Sequence, residues 1–344
     1  MTISAFELLN QLQNNHYLCS VKKVLIIQTA FLGDVILATP VISEILSIYP
    51  GCTVDILVRK GNESLLENFP SLGTVLILNK KEGKYKSLRR LFKTIRQNRY
   101  DEVINLHRFA STGFLTAFSG APSRIGFDKN PLSVFYTKRI KHSIDGQQHE
   151  VERNLACIAH HGAASYRRPE LFPSTSDISK ISDLTITPFY CFAPASVWFT
   201  KRLPINKWVE MGKTLSQNGN VYLIGAPSDH ELCESIKNDI GSEHCKNIAG
   251  QLSLLQSAAL MSKAKRNYVN DSGPLHISSA MNAPVTAFFC STIPGFGFGP
   301  LSDDAEIKET RENLDCRPCG IHGYSSCPKG HFKCATTIIM DVKH

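Results

Sequence analysis

The chain has 344 residues, 42% of them hydrophobic and 20% charged, and its formal net charge at pH 7 is +8. This length favours about two globular domains over one small core, and the apolar content excludes a largely disordered protein. The positive charge favours an anionic partner, a class that includes nucleotides, phosphorylated glycans, nucleic acid and acidic membranes.

The sequence carries no predicted membrane span or export signal. No apolar run approaches the ~20 residues that cross a bilayer, and residues 1–20 lack the apolar centre of a signal peptide. Seven of the eleven cysteines are scattered singly through apolar or helical segments, as in proteins that keep their thiols reduced. We therefore expect a cytoplasmic protein.

The first half of the chain alternates strand-like and helix-like segments. Val24–Ile27 is a continuous apolar run, typical of a strand buried on both faces of a parallel sheet. Phe31-Leu32-Gly33-Asp34 then leads into an amphipathic segment, predicted to be one helix that ends at Pro50-Gly51. Further strands are predicted at residues 54–58, 75–78 and 103–106. This alternation predicts a parallel sheet with right-handed crossovers, and the lack of G-x-G-x-x-G after the first strand disfavours NAD.

Residues 84–99 form a predicted helix with one apolar stripe and many positive charges. Such a helix can lie on an anionic membrane surface or attract an acidic acceptor. A solvated outer helix is the simpler interpretation, and we favour it because charged faces are common on α/β proteins.

The second half repeats the pattern after a connection. Residues 166–187 have no sustained period and are interpreted as an interdomain linker. Strands are predicted at residues 189–193, 221–225 and 285–289, and capping boxes at Ser228 with Glu231 and at Ser253 with Gln256. The predicted organisation is an N-terminal domain (1–165), the linker, a C-terminal domain (188–310) and a Cys-rich segment (311–344).

A strand-to-helix turn at residues 270–276 is the most informative stretch. A short strand passes through Asp271-Ser272-Gly273 straight into a helix, with His276 one turn inside it. The first N–H groups of that helix point to the carboxyl edge of the sheet, where an anion binds well. We expect Ser272 or Gly273 to cap the helix. An ordinary capped turn is the alternative.

Three further side chains fall at the carboxyl ends of predicted strands. Thr200 and Lys201 follow the strand at residues 189–193, so they can converge with the Ser272-Gly273 amides on a diphosphate. Asp34 holds the corresponding place in the first half. By itself it is a first-turn carboxylate favoured by the helix dipole, and beside a bound diphosphate donor it becomes a general base.

The order of five segments resembles glycosyltransferase family 9, the ADP-heptose:lipopolysaccharide heptosyltransferases. The resemblance covers roughly residues 22–338. Its segments are Phe31–Asp34 with Pro40, His149–Leu155, Thr200–Pro204 with Trp208, Asp271–Gly273 with His276, and Cys316-Arg317-Pro318-Cys319 with Cys327, Gly330-His331 and Cys334.

The resemblance implies an α/β chain with the GT-B fold, in which two Rossmann-like domains face each other across a cleft. It implies that the N-terminal domain binds the acceptor and the C-terminal domain binds the nucleotide sugar. It implies an inverting transfer of a heptose or related sugar from an ADP-sugar donor to a lipopolysaccharide core or lipid A-linked acceptor at the inner membrane, without a catalytic metal. Asp34 would be the catalytic base, and Lys201 with Ser272-Gly273 would hold the diphosphate. Thr200, Asp271 and His276 complete the predicted donor site.

The cysteines of the C-terminal segment are spaced C-x2-C-x7-C-x6-C, at Cys316, Cys319, Cys327 and Cys334. These ligands suit a tetrahedral structural zinc, although the later spacing matches no common zinc finger. Reduced free thiols are an equal alternative.

Two other functions compete with the transferase. A basic nucleic-acid-binding protein with a zinc tail is disfavoured, because the basic residues are not interleaved with stacking aromatics. We therefore expect no nucleic acid partner. A nucleotide-sugar-binding protein without turnover stays open.

Overall fold

The computed structural model describes residues 23–144, 148–162 and 167–340. It divides the chain into two compact units, the first comprising Met1–Ser143 with Val151–Arg167 and the second Ile144–Glu150 with Arg168–His344. Residues 1–20, for which we expect no signal peptide, lie outside the described residues. None of the helices in the described ranges is long and apolar enough to cross a membrane.

The first unit is built on a six-stranded parallel sheet with the order β3-β2-β1-β4-β5-β6. The order reverses between β1 and β4, and ligands of such sheets bind at the carboxyl ends of the strands beside this point. Its strands are β1 (Lys23–Gln28), β2 (Thr53–Arg59), β3 (Leu72–Leu78), β4 (Glu102–Asn105), β5 (Ser123–Phe127) and β6 (Lys138–Ile140).

The helices of this unit cover the apolar strands. Leu91 and Ile95 of the helix at residues 84–98 pack with Leu25 and Ile27 of β1 in one buried cluster. The helices are α1 (Leu32–Ile36), α2 (Thr39–Ile48), α3 (Lys84–Asn98), α4 (Ala110–Ala117) and α5 (Glu150–Ala156), the last of which spans the division between the units.

The prediction of one helix from Asp34 to Pro50 was wrong. The chain forms α1 and α2 with a break at Leu37-Ala38, and Pro40 lies in the first turn of α2. Proline has no N–H, so Pro40 cannot continue the hydrogen bonds of α1, and the Thr39 hydroxyl donates to the Ile36 carbonyl at 2.8 Å instead.

The second unit has the same kind of sheet, with the order β12-β11-β10-β7-β8-β9 and all pairs parallel. Here the order reverses between β7 and β10. Its strands are β7 (Phe189–Ala193), β8 (Asn220–Leu223), β9 (Cys245–Asn247), β10 (Arg266–Asn270), β11 (Val285–Phe289) and β12 (Ala305–Glu309).

Trp208 is the centre of the core on one face of this sheet. It is fully buried, its ring packs on Phe192 and Phe288, and its Nε1 donates to the Leu203 carbonyl at 3.2 Å. The helices of the unit are α6 (Thr175–Lys180), α7 (Ile205–Leu215), α8 (His230–Ile240), α9 (Leu254–Lys263), α10 (Gly273–Ala280) and α11 (Lys333–Thr336).

In the second half one local prediction was wrong, one is confirmed, and the interdomain linker stays a prediction. Residues 166–187 contain α6, which a Ser174–Asp177 capping box begins. The predicted box at Ser228 does not form, because Pro227 starts a short 3-10 turn and Asp229 instead accepts a hydrogen bond from the Ala226 N–H at 2.8 Å. The Ser253–Gln256 box forms with both of its hydrogen bonds.

Candidate active site

A buried ion pair lies where the strand order of the second sheet reverses. Lys201 ends a 3-10 turn after β7, and Asp271 follows the neighbouring strand β10. The Lys201 Nζ lies 2.7 Å from Asp271 Oδ2, with side chains 14% and 7% exposed. Thr292 donates its hydroxyl to the same carboxylate oxygen at 2.6 Å. A carboxylate repels a diphosphate. These contacts therefore favour a role for Asp271 in positioning the Lys201 ammonium over a role in contacting the anion directly.

The start of α10 differs from the prediction in one respect. Ser272 is the cap residue, as expected, but its side chain makes no capping hydrogen bond, and its hydroxyl donates to the Asn270 carbonyl at 3.3 Å. Gly273 and Pro274 begin the helix. A first turn without this side-chain cap keeps N–H donors for an external anion, which the helix dipole also favours.

His276 presents a buried polar atom to the same region. The residue is 5% exposed, and among the described residues its Nδ1 finds no hydrogen-bond partner. Burial lowers the pKa of His276 to about 4, against the opposing effect of Asp271 and with smaller contributions from His149 and Lys201. The imidazole is therefore neutral near pH 7. Buried polar atoms are rarely left unpaired, so the orphaned nitrogen marks a place for a ligand or water.

Thr200 occupies a different place from the predicted one. The residue is 1% exposed, and its hydroxyl oxygen accepts hydrogen bonds from the Tyr324 N–H at 2.8 Å and the Ser291 hydroxyl at 3.0 Å. Its own N–H donates to the Tyr324 carbonyl at 3.1 Å. Thr200 thus ties the Lys201 turn to the C-terminal segment, and its hydroxyl is not directed to a diphosphate.

The Cys-rich segment packs against the 3-10 turn that carries Lys201, a contact that sequence reasoning missed. Arg317 donates to the carbonyls of Cys290 and Thr292, each at 2.8 Å. Gly323 has φ +78°, and a Cβ there would lie 2.7 Å from Thr200 Oγ1 and 3.4 Å from Lys201 Cγ. The segment therefore contacts both residues that bond the Asp271 carboxylate, Lys201 and Thr292.

The four C-terminal thiols influence one another. Burial, with smaller contributions from the charges of Cys319 and Cys327, raises the pKa of Cys334 to about 11. The pKa of Cys319 is raised by burial and then by Cys316 and Cys327. All four sulfurs belong to described residues, and no three of them lie within 4.8 Å of one another.

Asp34 lies at the predicted place in the first unit. It is half-buried in the first turn of α1, after β1, and its Oδ2 accepts a hydrogen bond from the Phe31 N–H at 3.1 Å. Nearby at the same sheet edge, His107 follows β4 and its Nδ1 lies 2.8 Å from the Thr29 hydroxyl. Burial, with Lys80 and Arg108, lowers the pKa of His107 to about 4. Asp34 therefore makes the helix-start contact expected of it, at the edge where ligands bind.

Comparison with known proteins decides the family. Residues 88–322 match the model of glycosyltransferase family 9 (heptosyltransferase). The chain belongs to this family. It is 26% identical over 305 residues to lipopolysaccharide heptosyltransferase 2 of Salmonella typhimurium (strain LT2), covering 83% of this chain and 87% of that protein.

The family's solved structures share the fold. ADP-heptose LPS heptosyltransferase II of E. coli is similar with a TM-score of 0.75 and 23% identity, over 86% of this chain and 95% of that one. The iron-containing dodecameric glycosyltransferase TibC of enterotoxigenic E. coli is more distant, with a TM-score of 0.55 and 13% identity over 92% and 72% of the chains. The resemblance seen in the sequence and the GT-B fold class are confirmed, and the chain is a glycosyltransferase.

The anchoring role of Thr200 in this transferase can be tested with Thr200→Val. The change keeps the shape but leaves the partly buried Tyr324 N–H without its acceptor, so the free energy of unfolding should fall by about 1–3 kcal/mol. Urea unfolding measures it. Thr214→Val is the matched control, because the Thr214 hydroxyl bonds the Glu210 carbonyl of its own helix. Equal stability of both variants would show that the Thr200 hydroxyl anchors nothing.

Proposed function

We propose that the chain transfers a heptose from ADP-heptose to a lipopolysaccharide core acceptor. The observation that carries this proposal is the buried Lys201 ammonium beside the first turn of α10, at the point where the second sheet reverses its strand order. A cation and a helix N-terminus together suit a diphosphate. The names of two similar proteins, lipopolysaccharide heptosyltransferase 2 of Salmonella typhimurium and ADP-heptose LPS heptosyltransferase II of E. coli, support this donor and acceptor.

The proposed reaction is a single inverting displacement. The acceptor hydroxyl loses its proton to the Asp34 carboxylate, and its oxygen bonds to the anomeric carbon as the bond from that carbon to the diphosphate oxygen breaks. ADP leaves with the electron pair. Lys201 and the first N–H groups of α10 offset the charge that grows on the leaving oxygen, each at ~2–4 kcal/mol in the transition state.

Because the chain is a glycosyltransferase, the alternative of a nucleotide-sugar-binding protein without turnover is set aside, and the second candidate is a transfer in which Asp34 is not the base. It is favoured by one observation, the hydrogen bond from the Phe31 N–H to Asp34, which a carboxylate with no catalytic role would also make. The two candidates agree on Lys201 and differ on Asp34.

We also propose that the first unit touches the anionic cytoplasmic face of the inner membrane through α3 and its neighbours. Arg89 and Lys93 are exposed on α3, and Arg96 bonds the Phe118 carbonyl of the adjoining segment. The tilted rings of Phe118 and Phe135 have centroids 5.7 Å apart, and the two residues are 42% and 49% exposed. Cations beside exposed aromatic rings complement anionic headgroups and the interfacial layer beneath them, which favours membrane contact over the solvated-helix interpretation.

We further propose that Cys316, Cys319, Cys327 and Cys334 hold a structural metal ion. Burial, and then the neighbouring thiols, raise the pKa of Cys319 and Cys334, so a bound cation would offset the effects that oppose their deprotonation to thiolates. The donor set suits tetrahedral zinc or iron, and the distant relative TibC contains iron. Such a metal would stabilise the segment behind Lys201 and take no part in the transfer.

Asp34 and Lys201 should respond differently to substitution. Asp34→Asn keeps the size of the side chain but removes the base, so kcat should fall ~10²–10⁴-fold while ADP affinity stays unchanged. Lys201→Ala should lower both, because the ammonium contacts the diphosphate in the ground state and in the leaving group. Calorimetry with ADP and initial rates with ADP-heptose measure the two effects.

Lys213→Ala, at an exposed position of α7, controls for the loss of one charge. Normal turnover by Asp34→Asn would show that this carboxylate is not the base. Normal ADP affinity in a folded Lys201→Ala protein would contradict the donor site itself.

Reversal of charge on α3 should weaken membrane binding. The double variant Arg89→Glu/Lys93→Glu should lose affinity for vesicles rich in anionic lipid by ~1 kcal/mol for each charge removed, and the loss should shrink at high salt. Vesicle co-sedimentation measures it. Lys213→Glu/Lys263→Glu makes the same change of charge on exposed helices of the second unit. Equal loss in both double variants would mean that net charge, and not this surface, drives binding.

Metal in the C-terminal segment should be measurable in the purified protein. Elemental analysis should find about one zinc or iron per chain attached to these thiols, since tetrahedral thiolate sites bind tightly near neutral pH. Cys316→Ser/Cys319→Ser should lose that ion and melt at a lower temperature, whereas Cys52→Ser, elsewhere in the chain, should keep it. A double variant with undiminished metal content would remove the proposal.

A further inference from the structure

We propose a second metal site, in the first unit, formed by Glu102, His160 and His161 and suited to a divalent transition-metal ion such as Zn²⁺. Glu102 opens β4 at the amino end of the sheet. The two histidines end the 3-10 turn Ala159–His161 that follows α5. The site thus joins residues far apart in sequence, and neither the family resemblance nor the proposed transfer reaction makes use of it.

The ligand atoms already converge. The His161 Nε2 lies 2.7 Å from Glu102 Oε1, and the His160 Nε2 lies 3.2 Å from Glu102 Oε2. One ligand atom from each residue lies within 4.8 Å of the other two. Because two imidazole nitrogens and a carboxylate oxygen are common zinc ligands, the set needs only one further ligand, such as water, for a tetrahedral site. His160, whose side chain is 26% exposed, lies on the side that water can reach.

The residues behind these ligands are arranged as metal sites require. Tyr49 places its hydroxyl 2.6 Å from His161 Nδ1, the ring nitrogen that does not face Glu102. With Nδ1–H donating to that hydroxyl, the Nε2 lone pair is left for a metal. Ser123 donates its hydroxyl to Glu102 Oε2 at 2.7 Å, which orients the carboxylate. Such outer hydrogen bonds fix the tautomer and direction of metal ligands.

A simple ion pair between Glu102 and one histidine explains less of this arrangement than a metal ion does. One protonated histidine would satisfy the buried Glu102 carboxylate, yet two imidazole rings meet it with their centroids 3.8 Å apart. Two imidazolium ions at that separation would repel each other. A divalent ion instead accepts both nitrogen lone pairs and the carboxylate together.

The position of the cluster makes the metal a structural one. In the parallel register Glu102 lies opposite Val24, near the start of β1, whereas Asp34 comes after the end of that strand. The length of β1 therefore separates the metal from the edge where the acceptor is proposed to bind. A bound ion would fasten the turn at residues 159–161 to the sheet of the first unit.

The experiment uses full-length protein, freed of metal with a chelator and titrated with ZnSO₄. The wild type should bind one more zinc than His161→Gln, while His244→Gln, at an exposed histidine of the second unit, should match the wild type. Tyr49→Phe removes only the outer hydroxyl and should weaken this one site about 10–100-fold. It answers the question even if His161→Gln fails to fold.

X-ray absorption separates the site from the C-terminal thiols. Zinc bound to Cys316→Ser/Cys319→Ser should show nitrogen and oxygen ligands with the signature of two imidazoles. The proposal is overturned if this double variant binds no zinc through imidazole. It is equally overturned if Tyr49→Phe and His161→Gln both bind zinc as the wild type does.

Discussion

The Lys201–Asp271 ion pair is the constraint on which the second unit depends. Two charges that are mostly withdrawn from water cost several kcal/mol each unless they meet with good geometry and extra hydrogen bonds. Here adjacent parallel strands deliver the two side chains to one point, and the Thr292 hydroxyl adds a donor to the carboxylate. Loss of one partner would leave the other charge unpaired in a place that water barely reaches, which costs more than the pair itself contributes.

The C-terminal segment holds the residues around this ion pair in place. Its backbone at Tyr324 exchanges hydrogen bonds with Thr200, the neighbour of Lys201, and Arg317 holds the carbonyl of Thr292. The C-terminal segment thus fixes the positions of Thr292 and of the turn that carries Lys201, the two residues that bond the Asp271 carboxylate. This explains why a Cys-rich tail with no place in the transfer chemistry lies against the site, and why a metal there would act on turnover only through the position of the ammonium.

Sequence reasoning succeeded where the signal is local. The apolar run Val24–Ile27 and the turn at residues 270–276 carry their own pattern, and both were placed correctly. It failed for edge strands such as Lys138–Ile140, whose polar residues show no strand period. It also failed for Thr200, because the partner that decides its role lies 124 positions away. Likewise, no pattern in the sequence around Glu102 predicts its contacts with His160 and His161.

The chemistry of the pair also accounts for the residue type at position 201. An ammonium has three N–H donors, and the contact with Asp271 Oδ2 occupies one direction, so a phosphate oxygen can be bound without breaking the buried pair. An arginine would meet the carboxylate with its planar fork, and that bidentate contact would commit two donors to Asp271. Lysine therefore lets one largely buried cation pair permanently with a carboxylate and also bind a diphosphate reversibly. The cost of keeping Asp271 buried is offset whether or not the donor is bound, which allows the site to be formed before the substrate arrives.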